Sequence, residues 1–483
     1  MVIKDFKRYR NSIESGLILG FIGSLSASCS AGSGKMGKGA DKPNLVFVFA
    51  DQWRAEAAGF AGNAQVKTPN LDRLATESVN FSTAISTCPV SSPARASILT
   101  GQYPLTHGIF FNDKPLADNA TSIAEVYREH GYRTAYIGKW HLKGHPKGED
   151  RNKHRMMPVT EENRQGFEYW KVLECTHDYN NSIYYDEENV KHSWQGYDAE
   201  IQTDSAISYI ERNKGKPFML FLSWGPPHDP YLTAPEKYRN IYADRKNIKV
   251  RPNVPDSLAE AATKQIAGYY AHIAALDEYI GRLQAAVKEA GIERNTIFVF
   301  TSDHGDMLWS HALTYKQKPW DESVLVPFLL KYPRKFKKAR EVTIPFVTPD
   351  IMPTLLGLSG LPVPDHVEGT DFSGYLLGKE DLDIKAGLIM CPVPFHQWSF
   401  QNNGREYRGI RTERYTYAKD LKGPWLLYDN EQDPYQLNNL VNRPEYALIQ
   451  KDLEAELSRL LKKTGDEFRE ADYYMKKWNY DYD

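Results

Sequence analysis

Four short apolar runs, each followed directly by polar or charged residues, constrain the fold of this chain more than any other feature. They are rich in β-branched and aromatic residues and cover positions 45–49, 134–137, 218–222 and 296–300. Continuous runs of this kind are typical of strands buried on both faces, as in a parallel sheet. Open α/β sheets place their sites at the carboxyl ends of the strands, so the polar residues after each run are expected to line a site.

Segments with helical spacing alternate with these runs. Residues 122–130 are bounded by Ser122 and Gly131, and residues 256–290 carry apolar residues at helical spacing before Gly291. The alternation predicts an α/β fold, a large, mostly parallel sheet sandwiched by helices. Short strand-like segments at 409–411, 414–417 and 425–428 and a helical segment at 452–462 predict a smaller C-terminal subdomain with an antiparallel sheet. We therefore predict a main domain over residues 43–390 and a C-terminal subdomain over 391–483.

The composition is that of an ordinary globular protein. Of its 483 residues, 41% are hydrophobic and 25% are charged, which excludes wholesale disorder. A net charge of -2 predicts no nucleic-acid partner, so any anion must be bound by a local cluster of positive groups. The 30 Tyr and 10 Trp would suit carbohydrate faces, although many aromatic residues pack in any core. The aromatic C-terminal end, from Tyr473 to Tyr482, is compatible with docking on the body or with fraying.

The N-terminus has the features of an export signal. Basic residues at positions 4–10 precede an apolar run at 17–25, which is too short to span a bilayer, and then Ser26 and Cys29. This arrangement resembles a bacterial lipoprotein signal, with residues 1–28 removed, Cys29 lipidated and residues 29–42 serving as a flexible tether. Because Ser26 departs from the usual aliphatic box, plain secretion stays open. Either way we expect an exported protein, periplasmic or an outer-membrane lipoprotein.

The other cysteines do not suggest a disulfide scaffold. Cys88, Cys175 and Cys391 form an odd set, and we predict buried thiols.

Residues 91–101 have the pattern of a helix start beside an anion site. Ser91 suits an N-cap, Pro93 suits the first turn, and Ala94 to Leu99 favour a helix. The unpaired N–H groups of a helix start attract anions, and Arg95 could pair with a tetrahedral oxyanion in bidentate fashion. From these residues alone, an ordinary capped helix is an equally good interpretation.

The same stretch resembles the signature of the type I sulfatases, in the alkaline phosphatase superfamily. Ser91, Pro93, Ala94, Arg95 and the final Leu-Thr-Gly match over eleven positions. In that family the first residue, Cys or Ser, is oxidised to formylglycine. Cys88 is excluded because the family's Pro and Arg positions would then hold Val90 and Ser92. The resemblance thus implies an alkaline-phosphatase-like fold and, as a maturation partner, a serine-type formylglycine-generating enzyme acting on Ser91.

Polar residues that follow two of the apolar runs suit a hard metal ion. Asp51 and Gln52 follow the first run, and Asp303 and His304 follow the fourth. Three oxygen-type ligands and one imidazole favour Ca²⁺ over Zn²⁺, although an Asp after a strand is often only a cap. The resemblance implies one Ca²⁺ per chain held by these four residues and by modified Ser91. Gln52 replaces the family's usual Asp, and His304 its frequent Asn.

Further residues match family positions around the sulfate. Lys139 and His141, in Gly-Lys-Trp-His, would contact the sulfate and assist the hydrated aldehyde. His228 matches the substrate-side histidine, and Lys316 matches a substrate lysine, with Lys318 as a close competitor. A snorkelling lysine and structural histidines are the plain alternative. The implied catalytic set is Ser91, Arg95, Lys139, His141, His228 and Lys316.

The resemblance implies a sulfuric ester hydrolase, and the expected export together with the aromatic content favours a sulfated carbohydrate as its substrate. One alternative is a phosphodiesterase or phosphonate monoester hydrolase of the same superfamily. It is disfavoured because Asp350 is followed four residues later by Thr354, where a two-zinc site needs His. A second alternative is a non-catalytic glycan-binding lipoprotein. Residues in irregular stretches that could line a sugar pocket, or be ordinary loop residues, are His177, Asp178, Asn180, His396 and Trp398.

Overall fold

The structure, a computed structural model, describes residues 42–482. The predicted signal peptide, Cys29 and all but the last residue of the predicted tether lie outside this range. Within it, none of the helices has the length and apolar character needed to cross a membrane.

Strands and helices alternate through most of the described chain. The strands are β1 (Asn44–Asp51), β2 (Val79–Phe81), β3 (Ala84–Ile85), β4 (Arg133–Lys139), β5 (Tyr169–Leu173), β6 (Ile183–Tyr185), β7 (Lys191–Ser193), β8 (Phe218–Pro227), β9 (Thr296–Ser302), β10 (Leu329–Lys331), β11 (Arg340–Val342), β12 (Phe346–Val347), β13 (Ala386–Cys391), β14 (Tyr407–Thr412), β15 (Tyr415–Asp420) and β16 (Gly423–Asp429). The α-helices are α1 (Pro69–Ala75), α2 (Ser91–Thr100), α3 (Pro104–His107), α4 (Ile123–Glu129), α5 (Arg151–Arg155), α6 (Asp198–Asn213), α7 (Glu236–Arg239), α8 (Ala259–Glu289), α9 (Asp321–Val324), α10 (Ile351–Ser359), α11 (Ser373–Leu376), α12 (Ala447–Lys463) and α13 (Ala471–Lys477).

The large sheet has ten strands in the order β11-β2-β10-β9-β1-β8-β4-β5-β6-β7. The four predicted runs form β1, β4, β8 and β9, and these strands lie side by side in parallel. Phe47 in β1 is opposite Phe221 on one side and Val299 on the other. The outer strands β10, β6 and β7 pair antiparallel. The prediction of a large, mostly parallel sheet is confirmed.

Helices cover both faces of this sheet. Alternate residues of a strand point to opposite faces, so Val46 and Val48 lie in one apolar cluster and Phe47 and Phe49 in another. The first cluster includes α6 and α8; the second includes α2, α4 and α10. The capping box that Ser122 forms with Glu125 starts α4 as predicted. The predicted 256–290 helix begins three residues later, at Ala259, after a single 3₁₀ turn.

The C-terminal part adds a four-stranded antiparallel sheet, β13-β14-β15-β16, with α12 packed on it. This confirms the predicted antiparallel sheet and helix. Leu453, Leu457 and Leu460 are the buried face of α12. Strand β13 begins at Ala386, and the division at residue 391 stays a prediction. The aromatic end docks: the Tyr480 ring lies 5.7 Å from that of Phe110.

Candidate active site

The strand ends deliver the predicted site residues to one place. Asp51 ends β1, Lys139 ends β4, His228 directly follows β8, and Asp303 directly follows β9. Since these four strands are neighbours and parallel, their carboxyl ends form one edge of the sheet.

Ser91 lies at the centre of this edge, completely buried. Its Oγ is 3.0 Å from Nε2 of His304, 3.2 Å from Nζ of Lys316 and 3.4 Å from Oδ1 of Asp51. The expectation that Ser91 caps its helix is wrong. Val90, in extended conformation, is the N-cap, and Ser91 is the first helical residue. Its hydroxyl is therefore held by the site and not by the backbone of α2.

The two competing lysines are clearly separated by geometry. Lys316 places Nζ within hydrogen-bonding distance of both Ser91 and His228, at 3.2 and 2.9 Å. Lys318 donates to the carbonyl of Thr314 and its Nζ lies over the Trp398 ring, 5.4 Å from the centroid. Of the two, only Lys316 reaches the serine.

His228 is held from both sides of its ring. Nδ1 lies 3.0 Å from both the carbonyl oxygen and Oδ1 of Asp229, and Nε2 faces Lys316. Burial and the charge of Lys316 lower the pKa of His228. The ring of His177 lies beside it, with centroids 4.6 Å apart.

Arg95 contacts both carboxylates of the site, and its predicted role toward a substrate oxyanion stays a prediction. Nε donates to Oδ2 of Asp303, Nη2 lies within 3.1 Å of Asp51 and Asp303, and Nη1 donates to Ser223 and the Lys139 carbonyl. Four of these contacts are hydrogen bonds, and the one between Nη2 and Asp303 is a salt bridge at 3.0 Å. Arg95 therefore pairs with both carboxylates and holds them in place.

Lys139 is positioned by an unusual approach of two strands. Gly138 has φ 106°, and a Cβ there would meet the Ser223 carbonyl oxygen at 2.0 Å, so only glycine fits. The chain then brings Nζ of Lys139 to 2.6 Å from Oδ2 of Asp51. Burial opposes its charge, but Asp51 raises the pKa of Lys139, which keeps the ammonium protonated.

His141 is oriented by residues that sequence reasoning missed. Its Nε2 lies 3.2 Å from Oδ1 of Asp113, and Arg155 donates to both oxygens of that carboxylate. The Nδ1 of His141 is buried and has no partner. Burial and Lys139 lower the pKa of His141 well below its ordinary value. Asp113 is 28 residues from His141, and no spacing or motif signals the pair.

The predicted metal ligands fit a cation. One ligand atom each of Asp51, Asp303 and His304 lies within 4.8 Å of the others. Nδ1 of His304 lies 2.9 Å from the carbonyl oxygen of Gly305, which places the proton there and leaves the Nε2 lone pair facing the carboxylates. Gln52 contributes a buried Oε1 without any partner. The backbone N–H of Gln52 donates to Asp303, so its unpartnered amide oxygen is close in the chain to the carboxylates, and a set dominated by oxygen suits Ca²⁺.

Charge in this cluster is strongly unbalanced between the two carboxylates. Burial alone would raise the pKa of Asp51, but Lys139, His228, Lys316 and Arg95 hold it well below its usual range. Burial and the neighbouring Asp51 raise the pKa of Asp303. A divalent cation between them would relieve this repulsion.

A cleft of about 700 Å³ adjoins the site. Asp113, the partner of His141, forms part of its wall. The residues that line the cleft also include Arg151, His396, Phe400, Gln401, Asn402 and Tyr482. Of the residues suggested for a sugar pocket, His396 lies in this wall and His177 lies beside His228. Trp398 is buried, with its indole N–H donating to the Arg405 carbonyl. Asp178 and Asn180 form a local turn.

The three cysteines are buried thiols, and Asp350, the residue considered for a second metal site, has a structural role. Cys88, Cys175 and Cys391 are free and buried, as predicted. Both oxygens of Asp350 accept backbone amides, from Val347 and Thr370, so this carboxylate holds its own loop.

Fold and site together define a hydrolase of the alkaline-phosphatase-like class. The family model described as Sulfatase matches residues 43–361, and one described as N-sulphoglucosamine sulphohydrolase, C-terminal, matches residues 310–463. The chain belongs to the sulfatase family, and it is a sulfuric ester hydrolase.

Individual relatives agree with this assignment. An ulvan-active sulfatase of Formosa agariphila is 44% identical over 91% of this chain and 85% of its own length. A solved Bacteroides thetaiotaomicron structure, titled for the metabolism of multiple glycosaminoglycans, has a TM-score of 0.80 and 31% identity, covering 91% of this chain and 99% of its own. The phosphonate monoester hydrolase of Agrobacterium radiobacter, at 24% identity and TM-score 0.72, covers 88% of this chain and 96% of its own and shares the fold.

Proposed function

We propose that this sulfatase removes sulfate from a sulfated carbohydrate, with a nucleophile derived from Ser91 and one Ca²⁺ per chain. The observation that carries the proposal is the position of Ser91 Oγ, buried between Lys316 and His304 at the strand ends. A serine hydroxyl alone is a weak nucleophile, and the described residues place no neutral base against it other than His304, a proposed metal ligand. Conversion of Ser91 to formylglycine would supply a hydrated aldehyde whose hydroxyl attacks sulfur.

Positive groups around the serine suit a sulfate ester. Lys139, whose pKa is raised by Asp51, and Lys316, whose pKa is lowered by burial, are both buried at the site, and in protonated form they would stabilise charge that develops on the sulfate oxygens. Asp51, Gln52, Asp303, His304 and modified Ser91 would hold Ca²⁺, which supplies further charge stabilisation as a Lewis acid. Arg95 keeps Asp51 and Asp303 in the geometry that this requires.

Two sets of residues would transfer protons during the reaction. Lys316 and His228 are in contact and would protonate the leaving alcohol. His141, with its unpaired Nδ1, would accept a proton from the hydrated aldehyde during sulfate release. Asp113 fixes the orientation of its ring.

The adjoining cleft supports a carbohydrate as the alcohol part of the ester. Phe400 and Tyr482 are half exposed and offer flat apolar faces, and Gln401 and Asn402 offer amides. Sugars are bound by this combination of stacking faces and hydrogen-bonding groups. The ulvan activity of the 44% identical relative favours the same substrate class.

A panel of sulfated mono- and disaccharides of defined linkage, including ulvan fragments, tests the proposal. Sulfate release is measured by ion chromatography with calcium saturating, and the S91A variant is the control for adventitious hydrolysis. We expect release from at least one sulfated sugar and none with S91A. Activity only on simple aryl sulfates would overturn the carbohydrate assignment.

We also propose export and lipidation at Cys29, on the basis of the N-terminal sequence. Mass spectrometry of the membrane fraction of the native host should find an acylated N-terminal Cys29. A C29S variant should be released in soluble form. An unacylated mature N-terminus in active protein would leave plain secretion as the route.

A further inference from the structure

The ability of Gln52 to bind a cation depends on the orientation of its side-chain amide. Its Oε1 can bind a cation, whereas its NH₂ group repels one. The residue is completely buried, and its backbone has φ 70°, with its N–H donating to Oδ1 of Asp303. The backbone is therefore fixed, but a rotation of the side-chain amide by half a turn would exchange oxygen for nitrogen.

Asp306 contacts this amide at its nitrogen and leaves Oε1 without a partner. Its Oδ2 accepts from Nε2 of Gln52 at 2.8 Å and from the hydroxyl of Tyr231 at 2.6 Å. Its Oδ1 accepts from the backbone amides of Leu308 and Tyr315, at 2.9 and 3.1 Å. A carboxylate is acceptor-only, so only the NH₂ group of Gln52 can face it.

We propose that Asp306 is a positioning residue that fixes the Gln52 amide with Oε1 toward the calcium site. The inference rests on the proposed calcium site and adds a residue outside the ligand set. Partners of this kind, which orient the groups that touch the metal, commonly change metal affinity by about 10- to 100-fold when removed.

The nearly isosteric variant D306N makes a sharp prediction. The amides of Leu308 and Tyr315 would hold the oxygen of Asn at the Oδ1 position. Its NH₂ group would then take the Oδ2 position and face the NH₂ group of Gln52. Two donors in contact are unfavourable, so the Gln52 amide turns and presents nitrogen to the cation.

A second substitution should reverse this effect. In Q52E/D306N the carboxylate of Glu accepts from the new NH₂ group with one oxygen and offers the other to the cation. The pair has the same net charge as Gln52 with Asp306.

Calorimetric Ca²⁺ titration of the metal-free full chain tests the inference without relying on turnover. D306N should bind at least about tenfold more weakly than wild type, and Q52E/D306N should return to within about threefold. D72N, the same substitution at a carboxylate that accepts from the Phe60 amide and the Thr68 hydroxyl, is the matched control and should bind like wild type.

The outcomes separate this inference from the function proposed above. A wild type that does not bind Ca²⁺ would refute the calcium site itself. A wild type that binds, with D306N binding equally well or with no rescue in the double variant, would overturn the role of Asp306 alone. If D306N does not fold, the double variant decides, because it should fold and bind.

Discussion

Lys316 donates a hydrogen bond from Nζ to Nε2 of His228 at 2.9 Å. An ammonium group can only donate, so His228 accepts at Nε2 and carries its proton on Nδ1, beside the carbonyl of Asp229. The same Nζ lies 3.2 Å from Ser91 Oγ. The proton donor in contact with the serine is therefore Lys316, and His228 holds its Nζ by accepting a hydrogen bond from it.

Replacing Lys316 should separate catalysis from packing. K316M removes the proton donor and one positive charge, and we expect kcat/KM to fall by about 10²- to 10⁴-fold. K318M removes a lysine of similar burial that does not reach the serine, and it should retain kcat/KM within about fivefold, about 1 kcal/mol. Steady-state kinetics on one sulfate ester compares the two variants. Equal losses in both would contradict the assignment of Lys316.

Mass spectrometry can detect the modification of Ser91 directly. In protein from the native host, the peptide that spans Ser91 should be about two mass units lighter than the unmodified serine peptide, since oxidation to an aldehyde removes two hydrogens and yields the activated nucleophile. The C88S variant should keep this shift, because counting from Cys88 puts Val90 and Ser92 at the positions where the motif needs Pro and Arg. Fully active enzyme with unmodified serine would refute the proposal.

The site should prefer sulfate to phosphate. A phosphate monoester carries more negative charge at neutral pH than a sulfate ester, and Asp350 lies outside the site with its oxygens bound to backbone amides. We expect kcat/KM for a sulfate ester to exceed that for the phosphate ester of the same alcohol by at least about a hundredfold, about 2.7 kcal/mol. A preference for phosphate that grows on adding zinc would contradict this.

Buried His107 should make the fold sensitive to acid. Its Nδ1 accepts from the Ile109 amide and its Nε2 lies 3.0 Å from Ser97 Oγ, so the neutral ring is bound on both sides. Burial lowers the pKa of His107 to about 3. The unfolded chain takes up the proton first as pH falls, so the stabilisation is complete above about pH 6.5 and is lost between there and about pH 3.

The H107Q variant should remove this dependence. Between neutral pH and about pH 4, the free energy of unfolding of wild type should fall more steeply than that of H107Q, by up to about 1.4 kcal/mol per pH unit. Denaturant titrations at several pH values measure it, and H366Q, at an exposed position, is the control. Parallel curves for wild type and H107Q would show that His107 does not titrate on unfolding.

Aromatic residues of the cleft should matter only for large substrates. F400A and Y482A should each raise KM for a sulfated oligosaccharide by at least about threefold, about 0.7 kcal/mol, and leave KM for a small aryl sulfate unchanged. The control is L448A, which replaces an exposed apolar residue of α12 outside the cleft and should leave KM for both substrates unchanged. An equal effect of F400A on both substrates would indicate a general disturbance of the site.

The sequence predicted the centre of the fold better than its boundaries. The runs that became β1, β4, β8 and β9 were recognisable because strands buried on both faces must be continuously apolar. The start of β13 at Ala386 and the extended Val90 before α2 carry no comparable signal. Local propensity does not specify them, because tertiary packing does.

In the site, too, some features could be predicted from the sequence and others could not. Asp51, Asp303 and Lys139 were predicted because each follows a strand or belongs to a motif. The pairing of Arg95 with two carboxylates and the orientation of His141 by Asp113 arise from contacts between distant parts of the chain. Spacing within one segment cannot reveal such contacts.

The burial of Ser91 also sets an order of events during biosynthesis. In the folded protein no enzyme can reach its hydroxyl, so a modification there must be complete before α2 packs. His304, against which Ser91 packs, is made 213 residues later. At roughly 5 to 20 residues per second, chain growth alone separates the two by about 10 to 40 s. The sheet order, with β1 between β8 and β9, thus keeps the serine accessible until late in synthesis.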